Sequence, residues 1–277
     1  MPTKKKQSRK NAVISLVMTL VCVLFLFPCI WLIISSFKGT SELFSWPPHI
    51  IPQNPTLENY SLAMAKGNFV TFFLNTLFVA TVATALTLML SLSAGYAFAK
   101  FRFPGGGVLF AMVMATLMIP VEIIMIPVFK VIVKTGMYDS LWGVIIPCMA
   151  TPTGTFMMRQ AFIGVSSDFM EAAYIDGASE TRTFLQIMTP LVTPTLSVLG
   201  IISFMWRWND YIWPLLVISS KNRFTIQLAL ASFAGEYSVD WNSLLAMSVL
   251  SMIPTTLVFL IFQKRIIGGV ALGGVKG

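Results

Sequence analysis

Residues 12–36 run for 25 positions without a charged side chain, and residues 69–99 for 31 more. Few folds can hold such runs. A helix satisfies every backbone N–H and C=O within its own segment, so roughly 20 mainly apolar residues in one stretch can cross the hydrocarbon core of a bilayer. Windows of similar character lie at 108–133, 141–162, 191–217 and 244–262, so the sequence predicts an all-α integral membrane fold with six transmembrane helices. Composition agrees: 56% of residues are apolar and 11% charged, with a mean hydropathy of +0.79. A soluble domain of that composition could not cover its surface with polar groups.

The opening "MPTKKKQSRK" is a basic start to an apolar run, as in a secretion signal. The run is too long for a signal core and no small-residue cleavage site follows it, so it is expected to stay as an anchor. Twelve of the 19 Lys and Arg residues fall in the N-terminal tail, the loops after the second and fourth spans, and the C-terminal tail. Positive residues favour the cytoplasm, which predicts both termini inside. The expected organisation is a basic tail over 1–11, one membrane domain over 12–263 containing a cytoplasmic loop at 164–190, and a second tail over 264–277. The loops at 37–68 and 219–241 are expected outside; the first carries "SWPPHIIPQNPTLENY", whose prolines forbid a long helix.

A net charge of +8 raises the question of nucleic acid, but the basic residues are divided among short loops and tails instead of one aromatic-bearing face, so no nucleic-acid partner is expected. Cys22, Cys29 and Cys148 fall in apolar spans and His49 stands alone, which predicts no metal site and no Cys/His nucleophile. Gly269, Gly274 and Lys276 fail as a phosphate loop. The lysine does not directly follow the glycine, no Ser or Thr comes after it, and no helix follows to hold a phosphate. The chain is therefore read as non-catalytic and without a bound cofactor. No internal repeat of fixed period is visible, which disfavours transporters built from repeated halves.

Between the fourth and fifth spans lies "EAAYIDGASETRTFLQIMTP", residues 171–190, unusually polar for its surroundings. Asp168 and Glu171 suit the positive end of a helix dipole, and Ala172 and Ala173 keep one face small. Gly177 can take a positive φ, and Ser179 can cap a second short helix through Thr183, Phe184 and Ile187. Pro190 and Pro194 then mark the turn into the fifth span. Helix, hinge and helix on the inner face could serve as an interfacial elbow or as a joint to another protein.

The spacing of Glu171-Ala172-Ala173, Gly177, Ile187 and Pro190 resembles the signature loop of permease subunits in bacterial ATP-binding-cassette importers, with Thr189 where leucine is usual. "PTLENY", "YAFAKFRFPG", "WRWNDYIWPL" and the ending "GGVALGGVKG" resemble the sugar-importer branch of maltose and glycerol-phosphate type, as the second permease of a pair. That resemblance implies partners: a second permease, two ATPase subunits that carry ATP and Mg, an extracytoplasmic solute-binding protein, and membrane lipid. It implies that Glu171, Ala172, Ala173, Asp176, Gly177 and Ala178 couple the chain to the ATPase, with the tail residues Gly274, Val275, Lys276 and Gly277 as a further contact.

Two features bear on what passes through. Glu122 in "MIPVEIIMIP" is an isolated carboxylate in an apolar span, a candidate for ion coupling in a secondary transporter or a residue beyond a kink at Pro120 that faces water. Trp206, Trp208, Tyr211 and Trp213 cluster with Arg207, Asn209 and Asp210 in the fifth span. Sugars are held by aromatic faces and hydrogen-bonding side chains, so Trp208, Asn209, Tyr211 and Trp213, with Glu122, are candidates for the translocation path. An aromatic belt at the outer interface accounts equally for the rings.

Overall fold

A computed structural model describes residues 4–234 and 239–274, and no strand occurs among them. The helices are α1 (Lys4–Ser35), α2 (Thr40–Leu43), α3 (Glu58–Gly67), α4 (Phe69–Lys100), α5 (Gly106–Ala115), α6 (Val121–Lys134), α7 (Leu141–Ile145) and α8 (Pro152–Ile163). They continue as α9 (Asp168–Ile175), α10 (Glu180–Arg182), α11 (Thr189–Leu191), α12 (Thr193–Trp208), α13 (Ile212–Val217), α14 (Ile226–Phe233) and α15 (Trp241–Gly274). Tyr237 and the tail residues Val275, Lys276 and Gly277 lie outside the described residues.

Three helices are long and apolar enough to cross a membrane without a break: Asn11–Ser35 within α1, all of α4, and Trp241–Gln263 within α15. At a rise of 1.5 Å per residue the 32-residue α4 is about 48 Å long, well beyond a ~30 Å hydrocarbon core. The three other expected spans are broken. Gly106–Met118 and Val121–Lys134 meet at 108°, Leu141–Cys148 and Pro152–Ile163 at 42°, and Glu180–Leu191 and Thr193–Trp208 at 79°. Residues 108–133, expected as one span with a kink at Pro120, are thus two helices. Pro120 lacks an N–H and forces Ile119 to extended backbone, at φ −90° and ψ 122°, so the turn is a corner and not a kink. The fifth segment also stops earlier than expected: α12 ends at Trp208, and α13 restarts at Ile212 after an irregular link.

The chain forms two compact units, Met1–Phe69 with Leu230–Met252, and Val70–Ala229 with Ile253–Gly277. In the first, Asn59 donates from Nδ2 to the carbonyls of Ser36 and Lys38, each at 2.8 Å, while Asn242 donates to the Lys38 carbonyl and to Asn59 Oδ1, each at 3.0 Å. These amides satisfy the carbonyls freed where α1 ends. In the second unit, α4 and α8 touch backbone to backbone. A Cβ at Gly95 would lie 2.5 Å from Met158 Cβ and 2.7 Å from Arg159 N, so only glycine admits the approach. Apolar spans gain little from leaving one oily solvent for another, and close packing of small residues is what joins them.

Candidate functional site

The polar stretch after α8 folds as a capped joint. α9 opens with Asp168 and Glu171 in its first turn and ends at Gly177, whose φ is +76°. Gly177 N–H donates to Tyr174 O at 3.0 Å and Ala178 N–H to Ala173 O at 2.9 Å, the paired bonds of a left-handed helix stop. Ser179 then caps α10 by accepting from Arg182 N–H. The sequence expected both features.

Residues 183–188 are wound as a π-helix, an uncommon and wider turn, and continue into α11. Thr189 sits where the resembling signature has leucine, and its hydroxyl donates to Phe184 O, five residues back, at 2.8 Å. The polar side chain thus reinforces the wide turn.

The two alanines divide. Ala172 is exposed and leaves a small gap in the outer face of α9, where Phe169 and Ile175 also stand out, Ile175 at 86% exposure. Ala173 is turned inward at 4% exposure and packs within this chain, so it supports the helix from beneath. Glu171, Asp176 and Gly177 are exposed and Ala178 is half-buried. Beneath α9, Met170 joins Leu92 and Tyr96 of α4, Met158 and Phe162 of α8, Met188, Val192, and Leu199 of α12 in one apolar cluster. This cluster links the exposed helix to three segments of the membrane domain.

Sequence reasoning missed Glu180. Its Oε1 accepts from Tyr96 OH at 2.7 Å and its Oε2 accepts from Tyr174 OH. The bond to Glu180 raises the Tyr174 phenol above its usual pKa, with burial and the carboxylate's charge adding to it, so the phenol stays protonated and donating. Nothing in the sequence pairs Glu180 with Tyr96, because the two are 84 positions apart.

A second feature is a cavity of about 260 Å³ where chain breaks meet. Val121, Ile124, Met125 and Val128 line it from the start of α6, Pro147, Cys148 and Thr151 from the bend before α8, and Arg207, Asp210 and Trp213 from the α12–α13 link. Irregular backbone at membrane depth is tolerated where it lines a cavity or is buried in protein. Arg207 pairs with Asp210 at 3.7 Å and donates to Cys148 Sγ at 2.9 Å, while its Nε is buried without a partner. The pocket wall is mainly apolar with one charged pair, a lining that offers both donors and acceptors.

The expected path residues separate accordingly. Trp208 is fully buried, with its ring stacked on Phe204 at 5.7 Å and edge-on to Phe73 at 5.6 Å, and so packs the interior. Trp213 is buried too and donates from Nε1 to Gly143 O at 3.2 Å, while its ring borders the cavity. Asn209 and Tyr211 are exposed, Asn209 donating to Met205 O at 2.9 Å. Glu122 is exposed in the first turn of α6, just past the Pro120 corner. In the same unit Asp139, at φ +52°, accepts from Ser219 N at 3.0 Å, from Ser220 N at 2.9 Å and from the Ser220 hydroxyl, and pairs with Arg223 at 3.0 Å. The Ser220 bonds, helped by Arg223, hold its carboxyl down at about 2.

Apolar helices long enough to cross a bilayer, bent helix pairs around a cavity, and a hinged helix exposed between two of them mark a multi-pass membrane protein. The chain belongs to the family described as binding-protein-dependent transport system inner membrane component, whose pattern matches residues 87–271. It is 34% identical over 267 residues to the arabinooligosaccharides transport system permease protein AraQ of Bacillus subtilis, covering 95% of each chain. It is 35% identical over 266 residues to the sn-glycerol-3-phosphate transport system permease protein UgpE of Pectobacterium atrosepticum, covering 93% of this chain and 95% of that one. With the lactose transport system permease protein LacG of Rhizobium radiobacter, the identity is 32% over 260 residues and the coverage 94% of each. In fold it resembles a chain in the crystal structure of a bacterial ABC transporter involved in the import of the acidic polysaccharide alginate. That match has a TM-score of 0.85 at 22% identity and covers 95% of this chain and 99% of that one. The resemblance to sugar-importer permeases is thereby borne out, and it displaces the alternative of ion coupling through Glu122.

Proposed function

We propose that this chain is one permease of a heterodimeric, ATP-driven carbohydrate importer in the bacterial cytoplasmic membrane, with both termini inside. In this reading two ATPase subunits carry ATP and Mg, and an extracytoplasmic binding protein delivers the sugar. The observation that carries the coupling role is α9 itself. Phe169, Ala172 and Ile175 form an outward face that no described residue covers, on a helix ended by the Gly177 stop. An exposed apolar face on a short, capped helix fits a cleft in a partner.

The mechanics follow from the packing. Closure of the ATPases on ATP displaces α9, and the Met170 cluster beneath it passes the displacement to α4, α8 and α12. Packed interiors transmit strain because they are dense and compress little. α12 ends at the Arg207–Asp210 pair, so its movement reshapes the cavity where the breaks meet. Asn209 and Tyr211 are exposed beside it and are suited to bonding sugar hydroxyls. The relatives named for arabinooligosaccharides, lactose and sn-glycerol-3-phosphate support a carbohydrate or phosphorylated polyol as cargo.

The test is a photo-crosslinking residue at Ile175, irradiated in cells, with the adduct identified by mass spectrometry. The expected product is a link to an ATP-binding subunit, and its yield changes when ATP is trapped. Adducts to lipid alone would return residues 171–190 to an interfacial elbow.

A further inference from the structure

Glu180 follows the Gly177 hinge and bonds to two elements at once, to α4 through Tyr96 and to α9 through Tyr174. Tyr96 is a fixed point on α4: it is buried, and its ring is held by Phe162 at 5.2 Å, Phe101 at 5.4 Å and Phe184 at 4.8 Å. Tyr174 stands in the last turn of α9, three residues before Gly177, and Glu180 stands three residues after it. The two phenols take one carboxylate oxygen each. Hydrogen bonds to an ionised acceptor are short and about twice as strong as neutral ones, and they are directional in a way that apolar packing is not. The bridge therefore spans Gly177 from outside and ends on a membrane helix.

We propose that Glu180 is a positioning residue whose carboxylate braces α9 against α4 through Tyr174 and Tyr96, so that displacement of α9 reaches the span instead of being absorbed by flexing at Gly177. The inference rests on the coupling role proposed for α9. It assigns a residue of the loop that neither small size nor helix capping would single out.

The experiment uses the whole importer, with both permeases, the ATPases and the binding protein, in proteoliposomes. Sugar moved and ATP hydrolysed are measured together for wild type, Tyr174→Phe, Glu180→Leu and the double variant. Tyr174 is partly exposed, so Tyr174→Phe removes one hydroxyl without disturbing the interior. The expected result is a fall in sugar moved per ATP of about two- to thirtyfold, the range of coupling that single residues carry. Glu180→Leu should reach at least the same loss, the double variant should be no worse than Glu180→Leu alone, and Glu180→Gln, which keeps one acceptor oxygen, should recover part of it. A merely structural role would lower assembly and both rates together and leave the ratio intact. An unchanged ratio in Tyr174→Phe overturns the brace, even if Glu180→Leu fails to assemble. Wild-type complex that moves no sugar with ATP would instead overturn the proposed function.

Discussion

Gly177 is where the account can be tested most sharply by a single atom group. A Cβ added there meets nothing within 4 Å, so a substitution acts through the backbone and not through a clash with neighbours. Holding a non-glycine residue at φ +76° costs about 1–2 kcal/mol. Losing glycine's extra freedom in the open state returns about 0.4–1 kcal/mol. The net cost is about 1 kcal/mol for alanine, and nearer 2 kcal/mol for valine because a β-branched side chain suits that region worst. It falls on the bonds from Gly177 N–H to Tyr174 O and from Ala178 N–H to Ala173 O, so the joint opens more often by about 5- to 30-fold. Amide hydrogen exchange over residues 170–182 of the purified complex reads this directly. Gly177→Val should exchange faster by nearly the full factor of about 30 and transport poorly, and Gly177→Asn, which tolerates the left-handed region, should stay near wild type. Exchange at the wild-type rate in Gly177→Val would refute the reasoning, because the stop would then not be holding α9.

Other predictions concern the rest of the unit. Asp139 has a folded-state pKa of about 2, below its unfolded value of about 3.9, so it stabilises the fold above that value and the contribution is lost as pH falls towards 2. The melting temperature of Asp139→Asn should lie below wild type at pH 7 and the gap should close between about pH 4 and pH 2; a gap independent of pH would argue against the charge. Trp208→Ala empties a fully buried site and should cost about 3–5 kcal/mol, seen as a lower melting temperature. Asn209→Leu is exposed and should leave melting unchanged while slowing sugar uptake; normal uptake kinetics would return Asn209 and Tyr211 to an interfacial belt.

The sequence made local features plain and long-range ones not. Apolar runs located the membrane segments because every residue of a spanning helix must satisfy its own backbone, and that demand is written in consecutive positions. Gly177 and Ser179 were legible for the same reason, since helix stops and caps depend on a few adjacent residues. Pro120 announced a break, but its angle of 108° is set by what α6 packs on, namely the cluster holding Ile132, Val144 and Trp213. Ala172 and Ala173 look equivalent in sequence, and only the rotation of α9 over Met170 decides that one is exposed and the other buried. In sequence the rings of Trp206, Trp208, Tyr211 and Trp213 group together, and suit a path lining and an interfacial belt equally, because they stand so close along the chain. The end of α12 at Trp208 separates them, placing Trp208 against Phe204 and Phe73 and leaving Tyr211 exposed. The Tyr96–Glu180 bond joins elements far apart in the chain, and no pattern within either segment anticipates it.

The central claim is that ATP hydrolysis on partner subunits moves carbohydrate through this permease by way of α9. Its most direct test is sugar uptake into proteoliposomes holding the reconstituted importer and its binding protein. ATP is supplied to one set of vesicles and an imposed proton gradient without ATP to another, each with wild-type chain and with Gly177→Val. The account predicts uptake with ATP, none with the proton gradient alone, and a loss of sugar moved per ATP in Gly177→Val. Uptake driven by the proton gradient in the absence of ATP would contradict it.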